Sequence, residues 1–377
     1  MEKIVFRKFL FDLIGFFLLV SLSLSLITWI IQSVNYLDFI SKDGHGFKVY
    51  FSFILLNFPK VFSKIIIFSF FVSLFFVINK YQTNNEILIF WINGIGKVKL
   101  INFIIKISIL LTILQIIFVY FLIPKTQDYS RDFLRSSNID MFTSLINEKK
   151  FIDTVKNFTI FVESIDDQGN FQNIFLKDSI ETSNNQIISA KSGKIVEDGS
   201  SKYLNLKYGF ILDMSQNDID NTKVIKFNTT TFNLSNLKTK STTKPKIQEM
   251  NSKILISCVK NFFIGDKVNY TITNFRCNED SSIKSFKELF NRTFKQLYII
   301  VLGTIASALI FVNEKSPKNY IQKLTVFFTG ILIIVISEIN VQFLSFSLNN
   351  NIIYLLFPAL FFFTAYLSIL NFNRSRS

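Results

Sequence analysis

Apolar and polar positions alternate along this chain on two length scales. Runs approaching or exceeding the roughly 20 apolar residues that a membrane-spanning helix needs occupy 9–31, 49–78 and 100–123, then 297–312, 324–344 and 352–372. Between the two groups lies a polar stretch, about 125–285, whose apolar residues recur every second position in short runs: 158–163, 171–177, 186–190, 193–196, 203–207, 210–214 and 223–234. Phe158, Ile160 and Val162, then Phe171, Ile174 and Leu176, give these runs one buried face. Turn residues separate them at Asp166-Asp167-Gln168-Gly169 and Asp198-Gly199-Ser200, which predicts an antiparallel sandwich, jelly roll or barrel. The fold expected is therefore an α+β membrane protein with six transmembrane helices, three on each side of a β domain. Its parts are 1–124, 125–285 and 286–377. The first run is too long for a signal-peptide core and is expected to remain as a span. Pro124 is expected to end the third span, residues 250–263 fit a helix or a strand, and residues 283–296 read as an amphipathic helix leading into the fourth span.

One short interruption, residues 81–99, does not follow either pattern. Thr83-x-x-Glu86 has capping-box spacing, and Gly94 offers the left-handed position that closes a helix, so a helix of about ten residues is expected over 83–94. Ile87, Leu88, Ile89, Phe90, Trp91 and Ile92 are consecutive and would cover every side of it. Such a helix needs a cover, either lipid at the interface or a protein docked on that side of the membrane.

Charge decides which side that is. Lys3, Arg7, Lys8, Lys80, Lys97 and Lys99, and later Lys315, Lys318, Arg374 and Arg376, flank the spans on one side, which places both termini and the 81–99 stretch in the cytoplasm and the β domain outside. The formal net charge of +14 is distributed in this way rather than gathered in a basic arm, so it reads as topology signal and lipid contact, with no nucleic-acid partner. The single histidine, His45, sits in the turn sequence Asp43-Gly44-His45-Gly46, and Cys258 and Cys277 are neither CxxC nor near another ligand. No zinc site, cofactor or histidine-based triad is expected; the two cysteines can pair if they face an oxidising compartment. Gly94-Ile95-Gly96-Lys97 is followed by Val98 where a P-loop needs Ser or Thr and lacks the earlier glycine spacing, so ATP is not expected to be hydrolysed by this chain.

In this order and topology, three short motifs resemble the LptF/LptG permease family, the membrane subunits of the lipopolysaccharide ABC exporter. Glu86-Ile87 followed by Gly94 resembles the family's coupling segment, Phe121-Leu122-Ile123-Pro124 its third-span end, and Glu288-Leu289-Phe290-Asn291-Arg292 its Glu-Leu-x-x-Arg before the fourth span. In the insert, Phe151-Ile152-Asp153, Thr159-Ile160-Phe161-Val162 and Ile188-Ser189-Ala190-Lys191-Ser192-Gly193 look more like LptF than LptG. Phe90-Trp91-Ile92 is bulkier than the family's usual coupling segment. The resemblance implies a β-jellyroll in the periplasm and a heterodimer with a paralogous permease in the bacterial inner membrane. It also implies a dimeric LptB-like cytoplasmic ATPase, and LptC/LptA-like β-jellyroll proteins that receive the lipopolysaccharide.

A phosphorylated, multiply acylated lipid needs cations above an apolar wall. Lys42 and Lys48, Lys60 and Lys64, and Lys284, Lys287, Arg292 and Lys295 fall at the outer rim of the spans. Of these, Lys42, Lys60, Lys64, Lys287 and Arg292 are the expected lipopolysaccharide contacts, with snorkelling the alternative for the span-two lysines and a pair with Glu288 the alternative for Arg292. Glu338, a carboxylate within the fifth span, faces either a site or a wet interface. Glu86, Phe90, Trp91 and Gly94 are the expected ATPase-coupling residues. Other readings of the chain are a LolC/MacB-like exporter subunit, which has one span before its outer domain rather than three, a membrane-anchored envelope lipid or glycan enzyme, and an assembly factor with no transport cycle.

Overall fold

Each long apolar run becomes largely helical, and four of the six helical stretches extend past the run at both ends. The computed structural model describes residues 2–37, 46–136, 146, 148–153, 158–166, 169–179, 184–198, 201–215, 223–234, 246–264, 270–272, 275–312, 316–344 and 348–374. Before the sheet come α1 (Glu2–Asn35), α2 (Phe47–Thr83), the short α3 (Ile87–Ile92), α4 (Lys97–Ile117) and α5 (Ile123–Ser136). After it come α6 (Ser252–Ile264), α7 (Glu279–Arg292), α8 (Tyr298–Ser307), α9 (Asn319–Phe343) and α10 (Leu348–Arg374). Among the described residues, five helical stretches are long and apolar enough to cross a membrane: Glu2–Asn35, Phe47–Thr83, Lys97–Arg131, Glu279–Phe311 and Asn319–Phe343. α10 contributes a shorter apolar segment, Leu356–Asn371.

Pro124 does not end the third span. α4 passes through a π-helical segment, Phe118–Leu122, directly into α5. Proline lacks the N–H that an α-helical ladder would use, and the wider turn just before it re-registers the backbone so that the helix continues. Residues 252–264, which fit either a helix or a strand by pattern, form α6, and the expected amphipathic helix is α7, which leads through a 3₁₀ turn, Phe294–Leu297, into α8.

The chain divides into two compact units, one of Met1–Ile30, Phe58–Thr126 and Lys246–Ser377, the other of Ile31–Asn57 and Gln127–Pro245. Residues 246–285 thus group with the helices. In the helical unit α8 is buried along nearly its whole length, and it approaches α4 so closely that a Cβ on Gly303 would lie 2.1 Å from the Ser108 hydroxyl. Only glycine permits that approach. At its far end α8 closes in a 3₁₀ turn, Ala308–Phe311, where the buried Gln82 amide donates to the carbonyls of Leu309 and Val312. Cys258 of α6 and Cys277, at the end of the small β7 (Tyr270–Ile272) and β8 (Phe275–Cys277) hairpin, are disulfide-bonded with their Cα atoms 5.9 Å apart.

The second unit is built on one antiparallel sheet whose strands follow chain order: β1 (Phe151–Ile152), β2 (Phe158–Ile165), β3 (Asn170–Asp178), β4 (Asn184–Asp198), β5 (Ser201–Ser215) and β6 (Lys223–Asn233). Two pairs of expected short strands are each one continuous strand, β4 and β5. The reason is a crease. Glu163, Asn173, Lys191, Tyr208 and Asn228 lie in one row across β2 to β6, ladder pairing skips this row on every strand, and Asn173 and Tyr208 take left-handed φ angles of 48° and 53°. Inward positions change phase there: Ile174 and Leu176 are buried on one side of the row in β3 and Phe171 on the other, three residues from Ile174. Both sides still share one core, containing Phe158, Ile160, Val162, Phe171, Ile174, Leu176, Leu204 and Leu206. The Asp198-Gly199-Ser200 turn lies mostly outside the described residues.

Candidate functional site

Two places in the helical unit gather the residues that sequence picks out. The first is a cavity of about 330 Å³ lined by Lys60, Ser63 and Lys64 of α2, Glu288 and Asn291 of α7, Lys295, Gln296, Glu338 of α9 and an apolar wall of Ile67, Val119 and Ile123. Lys60 and Lys64 share a face because they stand four residues apart on one helix, about one turn. Lys295 joins them from the 3₁₀ turn before α8, and its mostly buried ammonium is salt-bridged to the exposed Glu338 carboxylate. The lining therefore holds three ammonium groups against two carboxylates, beside aliphatic side chains. Such a lining suits an anionic group attached to an apolar body, and among the described residues no cluster of His, Cys, Asp or Glu is arranged to hold a metal ion.

Arg292 is the contrast. Its side chain is 1% exposed; Nε donates to Glu288, Nη1 to the Met250 carbonyl and the Ser252 hydroxyl, and Nη2 to the Gln248 carbonyl, at 2.8 to 3.0 Å. Ser252 in turn donates to the carbonyl of Tyr120, inside the π-helical segment. The expectation that Arg292 contacts lipid phosphate does not fit this geometry, because the guanidinium is consumed by ties between α7 and the segment entering α6. Lys287 donates to the Gln342 carbonyl at 2.8 Å and does not line the cavity. Lys42 lies outside the described residues, as does His45. Lys295, one cation among several in sequence, is the cavity residue that was not singled out; its signal was its place three residues beyond Arg292, where the helix changes pitch.

The second place is the 81–99 stretch. Thr83 is the last residue of α2 and not the cap of the next helix: its hydroxyl bonds back to the Asn79 and Lys80 carbonyls at 3.1 Å. Asn85 turns the chain with φ 58°, Glu86 precedes α3 without capping it by its side chain, and α3 is only six residues long. The capping-box expectation thus fails because the α2 ladder retains Thr83. Gly94 does take the left-handed conformation, φ 73°, and the helix ends in a Schellman arrangement, with Gly94 N–H on the Trp91 carbonyl and Ile95 N–H on the Phe90 carbonyl. Phe90 is not an outward docking residue: it is 1% exposed and its ring packs against Phe6, Phe9 and Tyr81. Trp91 is half-buried beside it, and the outward face of α3 is Leu88, Ile89 and Ile92, the last 84% exposed.

Glu86 bonds within the chain, accepting from the Asn84 amide and the Lys8 ammonium, each at 3.2 Å. The Asn84 hydrogen bond, with Lys8 beside it and partial burial opposing, holds the carboxyl below the usual carboxylate range, so Glu86 is charged at neutral pH.

The family model for the lipopolysaccharide export system permease LptF/LptG matches residues 7–371. No curated protein matches the chain.

Proposed function

Given that the chain belongs to the LptF/LptG permease family and is a multi-pass membrane protein, we propose that it is an LptF-type subunit. It extracts lipopolysaccharide from the outer leaflet of the bacterial inner membrane. In this reading all six apolar runs span the bilayer, three on each side of the β domain, both termini lie in the cytoplasm, and the creased sheet is the jellyroll that hands lipid to periplasmic LptC/LptA-like partners. A paralogous permease completes the lipid path. The observation that carries the reading is the Lys60/Lys64 cavity, whose lining combines cations with aliphatic side chains. The Cys258–Cys277 disulfide supports the same orientation, since such bonds persist in oxidising compartments.

The chain has no nucleotide site of its own in this reading and is not itself an enzyme; a separate LptB-like ATPase dimer docks on the exposed Leu88, Ile89 and Ile92 of α3. Lys8 and Asn84 hold Glu86 charged at the edge of that face, ready to meet a basic residue of the ATPase. The test is co-purification of the chain with an ABC-type ATPase. Expected is a stable complex with ATP turnover that Glu86→Lys dissociates. A Glu86→Lys complex that stays assembled with normal turnover would reduce Glu86 to a local loop contact. A chain that purifies with no ATPase would overturn the reading.

A further inference from the structure

We propose that a second lipid site lies at the other end of α4, one that selects an anionic glycerophospholipid. A groove of about 560 Å³ runs beside the first three turns of α4 and the start of α1, and Phe6, Gly96, Lys99, Phe103 and Lys106 border it. Lys99 and Lys106 are seven residues apart, two helical turns, and so project from the same face about 10 Å from each other along the axis. Phe6 and Phe103 form the apolar side, with ring centroids 4.3 Å apart. Around Gly96 the space is open, with no heavy atom within 4 Å of where a Cβ would be.

The charge balance specifies the ligand. Glu2 is bonded to Lys99 at 2.7 Å, which leaves two ammonium groups and one carboxylate around the groove, and Lys106 has no acidic partner among the described residues. Lys106 lies deeper than Lys99, and its four-carbon stem lets the ammonium rise toward the headgroup level while the stem covers apolar surface. A phosphodiester then sits between Lys106 and Lys99 and one acyl chain follows the Phe6–Phe103 wall. An added ammonium on the headgroup would meet the two lysines, so a lipid with net negative charge is preferred over a zwitterionic one. The leaflet follows from the orientation proposed above: Gly96 and Lys99 of the lining come directly after the 81–94 segment in the chain, so the groove faces the cytoplasm, opposite the lipopolysaccharide cavity. A lipid bound there braces the start of α4 next to the coupling segment.

The test needs no transport partner, so its outcome is independent of whether the chain exports lipopolysaccharide. The full-length protein is purified from bilayers containing equal phosphatidylglycerol and phosphatidylethanolamine, and retained lipid is read by native mass spectrometry. Wild type is expected to retain phosphatidylglycerol selectively. Lys106→Gln is expected to lower that retention about fivefold, the effect of one lysine beside an anionic surface. Lys125→Gln, on α5 and away from the groove, should retain as wild type does, and an unchanged thermal midpoint in Lys106→Gln excludes misfolding as the cause. Equal retention of the two lipids, or phosphatidylglycerol retention unaffected by Lys106→Gln, would overturn the proposal.

Discussion

Arg292 and the Lys60/Lys64 pair are both basic groups at the edge of the spans, yet the fold treats them oppositely. Arg292 spends four N–H groups on one carboxylate, one hydroxyl and two carbonyls, all drawn from α7 and the segment entering α6. The lysines instead line a cavity shared with Glu288 and Glu338. The difference follows from side-chain chemistry. A guanidinium presents a planar fork that several fixed acceptors can satisfy at once, whereas an ammonium on a flexible stem is a point charge that can turn toward an incoming anion. A buried cation is therefore evidence of a ligand only after its donors have been counted.

The largest expected effect breaks the tied side of this comparison. Arg292→Met removes the guanidinium, strands the Glu288 carboxylate and leaves the Gln248 and Met250 carbonyls without their donor, a loss on the order of 3–5 kcal/mol for breaking a buried pair. The thermal midpoint of the purified protein should fall sharply, and Arg292→Lys should rescue little because one ammonium cannot reach the same acceptors. A variant that keeps its midpoint but loses lipopolysaccharide crosslinking would make Arg292 a ligand residue after all. Next in size is the cavity side: Lys60→Gln with Lys64→Gln should lower lipopolysaccharide photocrosslinking in proteoliposomes about thirtyfold, from roughly 1 kcal/mol for each lysine beside an anionic headgroup. Assembly should be unaltered, and unchanged crosslinking would remove both lysines from the site.

How much of this was legible in the sequence depends on whether local pattern or distant partners decide the outcome. The long apolar helices and the inward residues of β2 and β3 are legible because length and burial leave their pattern on the chain itself. The crease row was not, since Lys191 and Tyr208 break the alternation in a way that looks like a strand end, and only the neighbouring strands reveal that pairing resumes beyond it. Gly94 was readable because a left-handed helix stop is a local requirement. Thr83 and Pro124 depart from their local signals because each has two local solutions, and what lies before it, an unbroken α2 or a π-helical turn, selects between them. At the site, the four-residue spacing of Lys60 and Lys64 was enough to place them together. The fate of Arg292 depended on Gln248, Met250 and Ser252, some forty residues away and invisible to any short motif.

Lys295 stands between the two cases and gives the finest test of the distinction. It lines the cavity with Lys60 and Lys64, and its ammonium is salt-bridged to Glu338, whose side chain is 61% exposed. A partner so open to water contributes less than about 1 kcal/mol to stability, so Glu338→Gln should leave the thermal midpoint nearly unmoved. The cavity would then hold three ammonium groups against Glu288 alone, and Lys295 would be released toward the ligand. Lipopolysaccharide crosslinking should rise about two- to fivefold, with the increase shrinking at high salt because part of the field passes through solvent. If crosslinking falls instead, Glu338 is orienting Lys295 for the lipid rather than competing with it, and the pair belongs with Arg292 among groups whose bonding defines the architecture.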